Sequence, residues 1–168
     1  MTENFVQTEV RKEDLDALLS ELKGFTETVR KKVVVESMMA GGNVHLSATK
    51  RLVPRGRTGN LRASLMITKL GKQGDSVGGA RVLARRSSQT KGGYYAHLVE
   101  RGHRIFLIIR GRKRVYIGHW PGRPFMRPAL EQNKQPILSE IVKTAQAGIA
   151  VQAAKMARKM ARAAARGK

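Results

Sequence analysis

Cysteine is absent from this chain of 168 residues. Its absence excludes a disulfide framework and thiolate metal ligands. Aromatic residues make up only 5% of the sequence, and no apolar run approaches the length of about 18 residues that spans a membrane. The first ten residues lack the basic and then apolar pattern of a secretory signal. We therefore expect a soluble, unsecreted protein that does not span a membrane.

Acidic residues are few, and their placement is uneven. The net charge is +21, from 33 basic and 12 acidic residues. Residues 1–36 hold 8 of the acidic and 6 of the basic residues, a net charge of −2, whereas residues 37–168 hold 27 basic and 4 acidic ones, a net of +23. So large an excess repels itself unless a polyanion or an acidic protein neutralises it. The candidate partners are nucleic acid, an acidic protein surface and anionic lipid.

The residues that catalysis or metal binding would need are also scarce. Beyond residue 36 the four acids do not cluster into a general acid–base pair or a Mg²⁺ site. The histidines show no spacing typical of a zinc site, and they lie at positions 45, 97, 103 and 119. We expect no enzyme activity, no metal and no cofactor.

Glu100 is the exceptional acid, because it lies beside Arg101 in a strongly basic region. We interpret it as one half of a structural ion pair, and its partner as an arginine. The candidate arginines are Arg57, Arg62 and Arg123.

Helical periodicity is clearest near the N-terminus. Leucines 15, 18, 19 and 22 follow the i, i+3, i+4, i+7 spacing of an amphipathic helix over 12–23. A second, longer helix is predicted from Thr26 to Val53, with Pro54 ending it. Since a glycine in a helix interior costs about 1 kcal/mol relative to alanine, we expect a kink or break at Gly41-Gly42.

Short apolar runs between the helices predict four strands in two hairpins. The first hairpin pairs 65–68 with 80–84 across the glycine-rich loop GKQGDSVGG, and a short helix over 94–100 follows. The second hairpin, 105–117, is an arm with a basic turn, RGRKR. The fold class is therefore α+β: a long N-terminal helix, a small antiparallel sheet of about four strands, and a long C-terminal amphipathic basic helix.

The stretch 118–130, GHWPGRPFMRPAL, holds the only Trp and three of the five Pro. We call it the strap. Proline fixes φ and disfavours helix at the preceding residue, so 120–125 should be extended and stiff. Pro128 suits the start of a helix. Trp120 and Phe125 should anchor the strap in the core or in a neighbouring subunit.

The C-terminal helix, from Ile137 onward, carries an apolar stripe that weakens to Ala and Met. Beyond Glu140 it has seven basic residues and no acidic one. Its basic face could meet a nucleic-acid backbone, meet an acidic protein, or simply be solvated; a membrane is disfavoured because the apolar face lacks bulky residues. We divide the chain into an N-terminal acidic segment with a short helix (1–26), an α+β domain (27–150) and a basic Ala/Met-rich helical extension (151–168).

Three motifs in this order carry a family resemblance: RTGNLRASL at 57–65, YYAHLVERGH at 94–103 and PGRPFMRPALEQNK at 121–134. Over residues 27–150 the chain resembles the tail-completion (head–tail joining, minor tail, neck) proteins of long-tailed double-stranded DNA bacteriophages. The 105–118 segment is longer than this family leads us to expect, and the basic extension exceeds its core.

The resemblance implies a structural virion protein with an α+β fold and no catalytic residues. It implies an oligomeric ring, a hexamer by expectation with twelve left open, at the neck or the top of the tail. DNA would pass through this head–tail connector during ejection. The implied partners are further copies of the chain, neighbouring neck proteins, and the tail tube or tail terminator. The protein would assemble in the host cytoplasm.

Candidate site residues follow from the strap, the arm and the basic helix. Those assigned to the assembly interface are Trp120, Pro121, Arg123, Pro124, Phe125, Arg127, Phe106, Tyr116 and Glu100. Those assigned to a DNA lumen or an acidic partner are Arg110, Arg112, Lys113, Arg114, Lys155, Arg158, Lys159, Arg162 and Arg166. The alternative function is a small basic nucleic-acid-binding protein that contacts the backbone without reading sequence.

Overall fold

The computed structural model describes residues 12–23, 25–70, 78–85, 93–109 and 113–166. The chain forms two compact units, one of residues 1–44, 68–81 and 134–168, the other of residues 45–67 and 82–133. The elements in chain order are α1 Lys12–Lys23, α2 Glu27–Leu52, α3 Asn60–Ser64, β1 Leu65–Leu70, β2 Gly79–Ala84, α4 Ala96–Arg101, β3 Gly102–Ile109, β4 Lys113–Pro121, α5 Met126–Gln132 and α6 Lys134–Arg166.

Helix α2 runs continuously through its two glycines, so the predicted break is wrong. Gly41 is buried, and a Cβ placed on it would lie 2.5 Å from Cγ1 of Ile141 on α6. On α6, a Cβ at Gly148 would lie 3.2 Å from Cγ1 of Val33 on α2. Glycine therefore lets the two helices approach closely and run antiparallel, and this packing offsets its weak helix propensity.

The core of the first unit joins α1, α2 and α6 around four buried apolar residues: Leu22, Val33, Ala145 and Ile149. Leu18 of the predicted leucine face also packs on this cluster, whereas Leu19 is exposed. Burial along α6 ends at Ile149, and none of residues 150–166 is buried. The weakening of the apolar stripe to Ala and Met coincides with the point where α6 leaves the core.

The core of the second unit surrounds Phe125, which is 0% exposed. The other buried members of this cluster are Val53, Leu61 and Leu65. Gly93 packs against the buried side chain of Ser64, whose Oγ donates to the carbonyl oxygen of Leu61 at 2.7 Å.

The four strands form two separate two-stranded sheets, β1–β2 and β3–β4. The predicted α+β fold with four strands in two hairpins is confirmed, although the strands do not join into a single sheet. The second hairpin is longer than predicted, because β3 begins at Gly102 and β4 continues to Pro121. Residues 71–77 of the first hairpin loop lie outside the described residues.

Candidate assembly interface

Glu100 connects α4 to the strap through backbone hydrogen bonds. Its Oε2 accepts from the N–H groups of Phe125 at 2.8 Å and Met126 at 3.2 Å, and its Oε1 accepts from the N–H of Arg127 at 3.3 Å. The first N–H groups of a helix have no partner within the helix. Phe125 occupies the N-cap position of α5 without a side-chain acceptor of its own. A carboxylate 25 residues earlier therefore caps this helix.

The predicted ion pair of Glu100 with Arg57, Arg62 or Arg123 is wrong. In the part of the chain that the structure describes, the carboxylate meets three backbone N–H groups and no arginine side chain. One feature of the sequence points to this arrangement. The Pro-rich start of α5 has no Ser, Thr, Asp or Asn to cap it, so the acceptor has to come from elsewhere. Only the fold reveals which distant acid supplies the cap.

The strap also crosses the end of α4 at backbone-to-backbone distance. Gly102 has φ +79°, and a Cβ there would lie 2.6 Å from the carbonyl oxygen of Trp120. A Cβ on Gly122 would lie 2.8 Å from the carbonyl carbon of Arg101. The N–H of Arg123 donates to the carbonyl oxygen of Val99 at 2.7 Å. Two glycines thus allow the second and third sequence motifs to cross.

All three sequence motifs meet in the core of the second unit, a region that we call the motif junction. Leu61 and Leu65 come from the first motif, Tyr95 and Val99 from the second, and Phe125 from the third. Because these side chains form one apolar cluster, the order of the motifs along the chain reflects a common packing requirement.

This packing corrects part of the predicted interface. Phe125 is enclosed by its own chain, so it offers no surface to another subunit. Glu100 uses its carboxylate within the chain. By contrast, Pro121, Arg123, Pro124 and Arg127 are exposed.

Arg127 is exposed, but it has a partner within its own helix. Its Nε donates to Oε1 of Glu131 at 2.8 Å, and this hydrogen bond raises the pKa of Arg127. An exposed pair of this kind adds little stability. The strap therefore presents charged and proline side chains outward while its phenyl ring is packed inward.

Trp120 lies at the base of the arm, opposite His103 in the β3–β4 register. The residue is 52% exposed. Half of its surface is thus packed within its own chain, and the other half remains available to a neighbour.

The arm, residues 105–117, exposes apolar side chains on both faces. Phe106 pairs with Tyr116 across the strands, with ring centroids 5.9 Å apart at 66°, and the next pair, Leu107 with Val115, points to the opposite face. The exposed fractions are 49% for Phe106, 51% for Leu107, 60% for Ile108, 42% for Ile109, 55% for Tyr116 and 58% for Ile117. A two-stranded hairpin is only marginally stable alone in water, and within the described residues both faces of this one are left largely uncovered.

The basic tip of the arm is only partly described. Arg110 and Arg112 lie outside the described residues, and for Lys113 the structure gives the backbone but not the side-chain surroundings. Arg114 is exposed and lies opposite Ile108. The arm therefore combines an exposed apolar ribbon with at least one exposed cation.

The basic face of α6 is exposed as predicted from its helical spacing. Together with Ala163, five cations line a shallow depression of about 560 Å³: Lys155, Arg158, Lys159, Arg162 and Arg166. All five are exposed, and within the described residues none of them lies in an ion pair. This row of cations could contact phosphates or carboxylates.

A second depression, of about 600 Å³, lies beside α4 and is bordered by Tyr94, His97, Glu100, Arg101 and Met126. Its one carboxylate already caps α5. Across the described ranges, no three His, Asp or Glu side chains come together in a way that could hold a metal ion. Likewise, no described helix is long and apolar enough to cross a membrane.

Comparison with known families defines the class as bacteriophage tail components. Residues 16–102 match the model of the HK97-gp10-like family, described as "Bacteriophage HK97-gp10, putative tail-component". Since the match spans more than half of the chain, the protein belongs to this family. No curated protein and no solved structure matches it.

The predicted kinship with phage tail proteins is thereby confirmed at the level of a tail component, and with it a location in the virion. The matched segment contains the first motif and ends within the second. The strap lies beyond the matched segment and packs against it at the motif junction.

Proposed function

We propose that this tail component completes the tail at the neck, where it forms a ring through which DNA passes. The observation that carries the proposal is the arm, which exposes apolar residues on both of its faces. Exposed apolar surface of this kind marks protein–protein contact sites. A protein that closes the end of a tail needs such surface for its own copies and for its neighbours.

Ring formation is supported by the asymmetry of the chain. The arm projects apolar and basic groups, whereas the acidic residues are concentrated in 1–36. Contacts between unlike surfaces are heterologous, and they produce rings when the rotation closes. We propose a hexamer, in contact with neck proteins on one side and the tail tube or tail terminator on the other.

The basic face of α6 would then line the lumen or meet an acidic neighbour. Contact with phosphates alone is salt-sensitive and independent of sequence. A lumen must also release the genome, so its hold on DNA has to be weak. Five cations on one exposed helical face are compatible with weak contact of this kind.

The same face supports the alternative function, a nucleic-acid-binding protein of the backbone-contact type. The two functions differ in assembly and in affinity. The neck protein should form a closed ring whose weak DNA binding disappears with salt. The alternative predicts a monomer or dimer with nanomolar affinity at physiological salt.

Native mass measurement and electron microscopy of the purified protein test the proposal. We expect one ring species, with the arm variant Phe106→Ser/Ile108→Ser reduced to smaller species. Leu52→Ser, at a residue that is 42% exposed outside the arm, is the matched control and should leave the ring intact. A wild-type monomer that binds DNA tightly would contradict the proposal.

DNA titrations at several salt concentrations test the role of α6. Replacing the five cations of its basic face with alanine should weaken binding. The slope of log affinity against log salt should also become shallower, by up to about 0.9 for each phosphate that is no longer neutralised. Alanine at Lys32 and Arg51, two exposed cations on α2, provides the control and should reduce the slope less.

We also propose that the protein has no catalytic role. The described residues bring no group of three or more His, Asp or Glu side chains together in a way that could hold a metal ion, and the carboxylate of Glu100 is already used as a helix cap. Incubation with plasmid DNA and Mg²⁺ should leave the plasmid uncut. Nicking that persists through purification and is abolished by mutation of an acidic residue would contradict this.

A further inference from the structure

The charge of the arm restricts the surface that can cover it. Residues 105–117 contain four basic residues and no acidic one. Residues 37–168 carry a net charge of +23, so most of the surface of a second copy would repel the arm. Only the segment 1–36, with its net charge of −2, is acidic. If another copy covers the arm, electrostatics therefore favours contact with the N-terminal helices.

Helix α1 has an exposed side that suits this contact. Leu18 and Leu22 face the core of the first unit, whereas Glu13, Asp16 and Glu21 are exposed. Leu19 is 54% exposed, and it lies one helical turn from Asp16. The exposed side of α1 thus offers an apolar side chain, Leu19, with the carboxylate of Asp16 beside it and that of Glu13 a further turn away.

The acidic residues of α2 are less available than those of α1. Glu27 pairs with Lys31, and Glu36 lies 4.0 Å from Lys32 on the same helix. An incoming cation would have to compete with these lysines. Among the described residues, Glu13, Asp16 and Glu21 of α1 have no basic partner within ion-pair distance, so they favour α1 as the receiving helix.

We propose that the arm of one copy docks on α1 of the next copy, with Ile108 against Leu19 and Arg114 beside Asp16 and Glu13. This inference rests on the proposed ring and specifies its subunit contact. Ile108 and Leu19 are 60% and 54% exposed in the single chain, so both are accessible to a second molecule. The arm and α1 are different surfaces, and their contact is therefore heterologous, as a closed ring requires.

The absence of cysteine allows a direct test. The single variants Ile108→Cys and Leu19→Cys are mixed in equal amounts, allowed to exchange subunits, and oxidised. We expect the disulfide-linked pair of the two variants to exceed either self-linked pair by at least about tenfold, since only unlike surfaces meet. Met160→Cys, at a residue that is 72% exposed on α6, replaces Leu19→Cys in the control and should give only background linkage.

The same chemistry can count the subunits. A chain carrying both Ile108→Cys and Leu19→Cys should form a ladder of covalent oligomers on a denaturing gel. In a closed ring the ladder ends at the number of subunits, because the last link closes on the first chain. A ladder that continues without a limit would indicate an open filament.

Charge exchange checks the electrostatic part of the contact. Arg114→Asp should reduce the ring to smaller species, and Asp16→Arg should do the same. Both substitutions in one chain restore opposite charges across every contact and should recover the ring. If each single variant assembles as well as the wild type, Arg114 and Asp16 do not meet.

The outcomes separate this inference from the proposed function. A ring in which Ile108→Cys and Leu19→Cys do not cross-link overturns docking on α1 and leaves the ring standing. The arm is then covered by another part of the copy or by a different tail protein. A chain that is monomeric at all concentrations overturns both.

Discussion

The motif junction and the arm belong to the same compact unit, yet they differ in how they use apolar side chains. At the junction, Phe125 is 0% exposed and the carboxylate of Glu100 satisfies three N–H groups. In the arm, Phe106 and Ile108 are 49% and 60% exposed. The junction is complete within one chain, whereas the arm leaves apolar surface for another molecule. The junction therefore serves folding, and the arm is the surface on which the proposed assembly depends.

The comparison changes the role of the strap. Its sequence, rich in Pro and carrying Trp120, resembled an assembly joint. Its phenyl ring and backbone complete the motif junction, while its exposed residues stay a predicted interface. Trp120, half exposed, is the strap residue that most closely resembles the arm. The three motifs of this chain pack into one core, and their sequence is not by itself evidence of an interface.

The largest expected difference in stability is between two Phe→Ala substitutions, one at the motif junction and one in the arm. Phe125→Ala should lower the free energy of unfolding by about 3–5 kcal/mol, because it leaves a cavity in the motif junction. Phe106→Ala should cost about 1 kcal/mol or less in the monomer, since its ring is half exposed. Urea unfolding of both variants, at concentrations where the chain is monomeric, measures the difference. Equal losses would remove the distinction between the two regions.

A side chain added where the strap crosses the end of α4 should destabilise the protein nearly as much as Phe125→Ala. Gly102→Ala should lower the free energy of unfolding by about 2–3 kcal/mol, because φ +79° strains any side chain and the new Cβ would meet the carbonyl oxygen of Trp120. Gly56→Ala is the control, since a Cβ there meets nothing within 4 Å. We expect that variant to be neutral in thermal unfolding, and an equal loss at both glycines would argue against the crossing.

Loss of the distant helix cap should have a moderate effect. Glu100→Ala removes the acceptor of three N–H groups and should cost about 1–2 kcal/mol, with a smaller loss for Glu100→Gln, which keeps one oxygen. Glu36→Gln, on an exposed face of α2, should change stability by less than about 0.5 kcal/mol. Chemical denaturation separates these values. If Glu100→Ala matches the control, the carboxylate does not hold the strap.

The smallest expected effect on stability is the pH dependence that His45 contributes. Burial lowers the pKa of His45, on the part of α2 that leads into the second unit, below its usual value of 6.5. Below pH 6.5 the unfolded chain binds this proton more readily than the folded one, so this contribution to stability is full above that pH and falls as the pH drops.

Denaturant midpoints at pH 7.5 and pH 5.5 test this sign. The wild type should lose more stability on acidification than His45→Gln. Since both chains retain His97, His103 and His119, the difference between them isolates His45. A wild type that gains stability relative to the variant at low pH would contradict the assignment.

Much of the fold was predictable from local pattern. The spacing of leucines 15, 18, 19 and 22 predicted α1, and branched and apolar runs predicted both hairpins, because periodicity records which face of an element is buried. The basic face of α6 followed from the same geometry. Gly41-Gly42 misled the prediction, since intrinsic helix propensity could not anticipate the close approach of Ile141.

The sequence by itself determined the secondary structure, the uneven charge and the kinship with phage tail components, because these depend on neighbouring residues and on composition. Only the tertiary structure decided that Glu100 caps α5, that Phe125 lies inside its own chain, and that the apolar arm stays uncovered. Each of these depends on contacts between residues far apart in sequence, or on the lack of such contacts. Packing and hydrogen-bond partners of that kind exist only once the chain has folded.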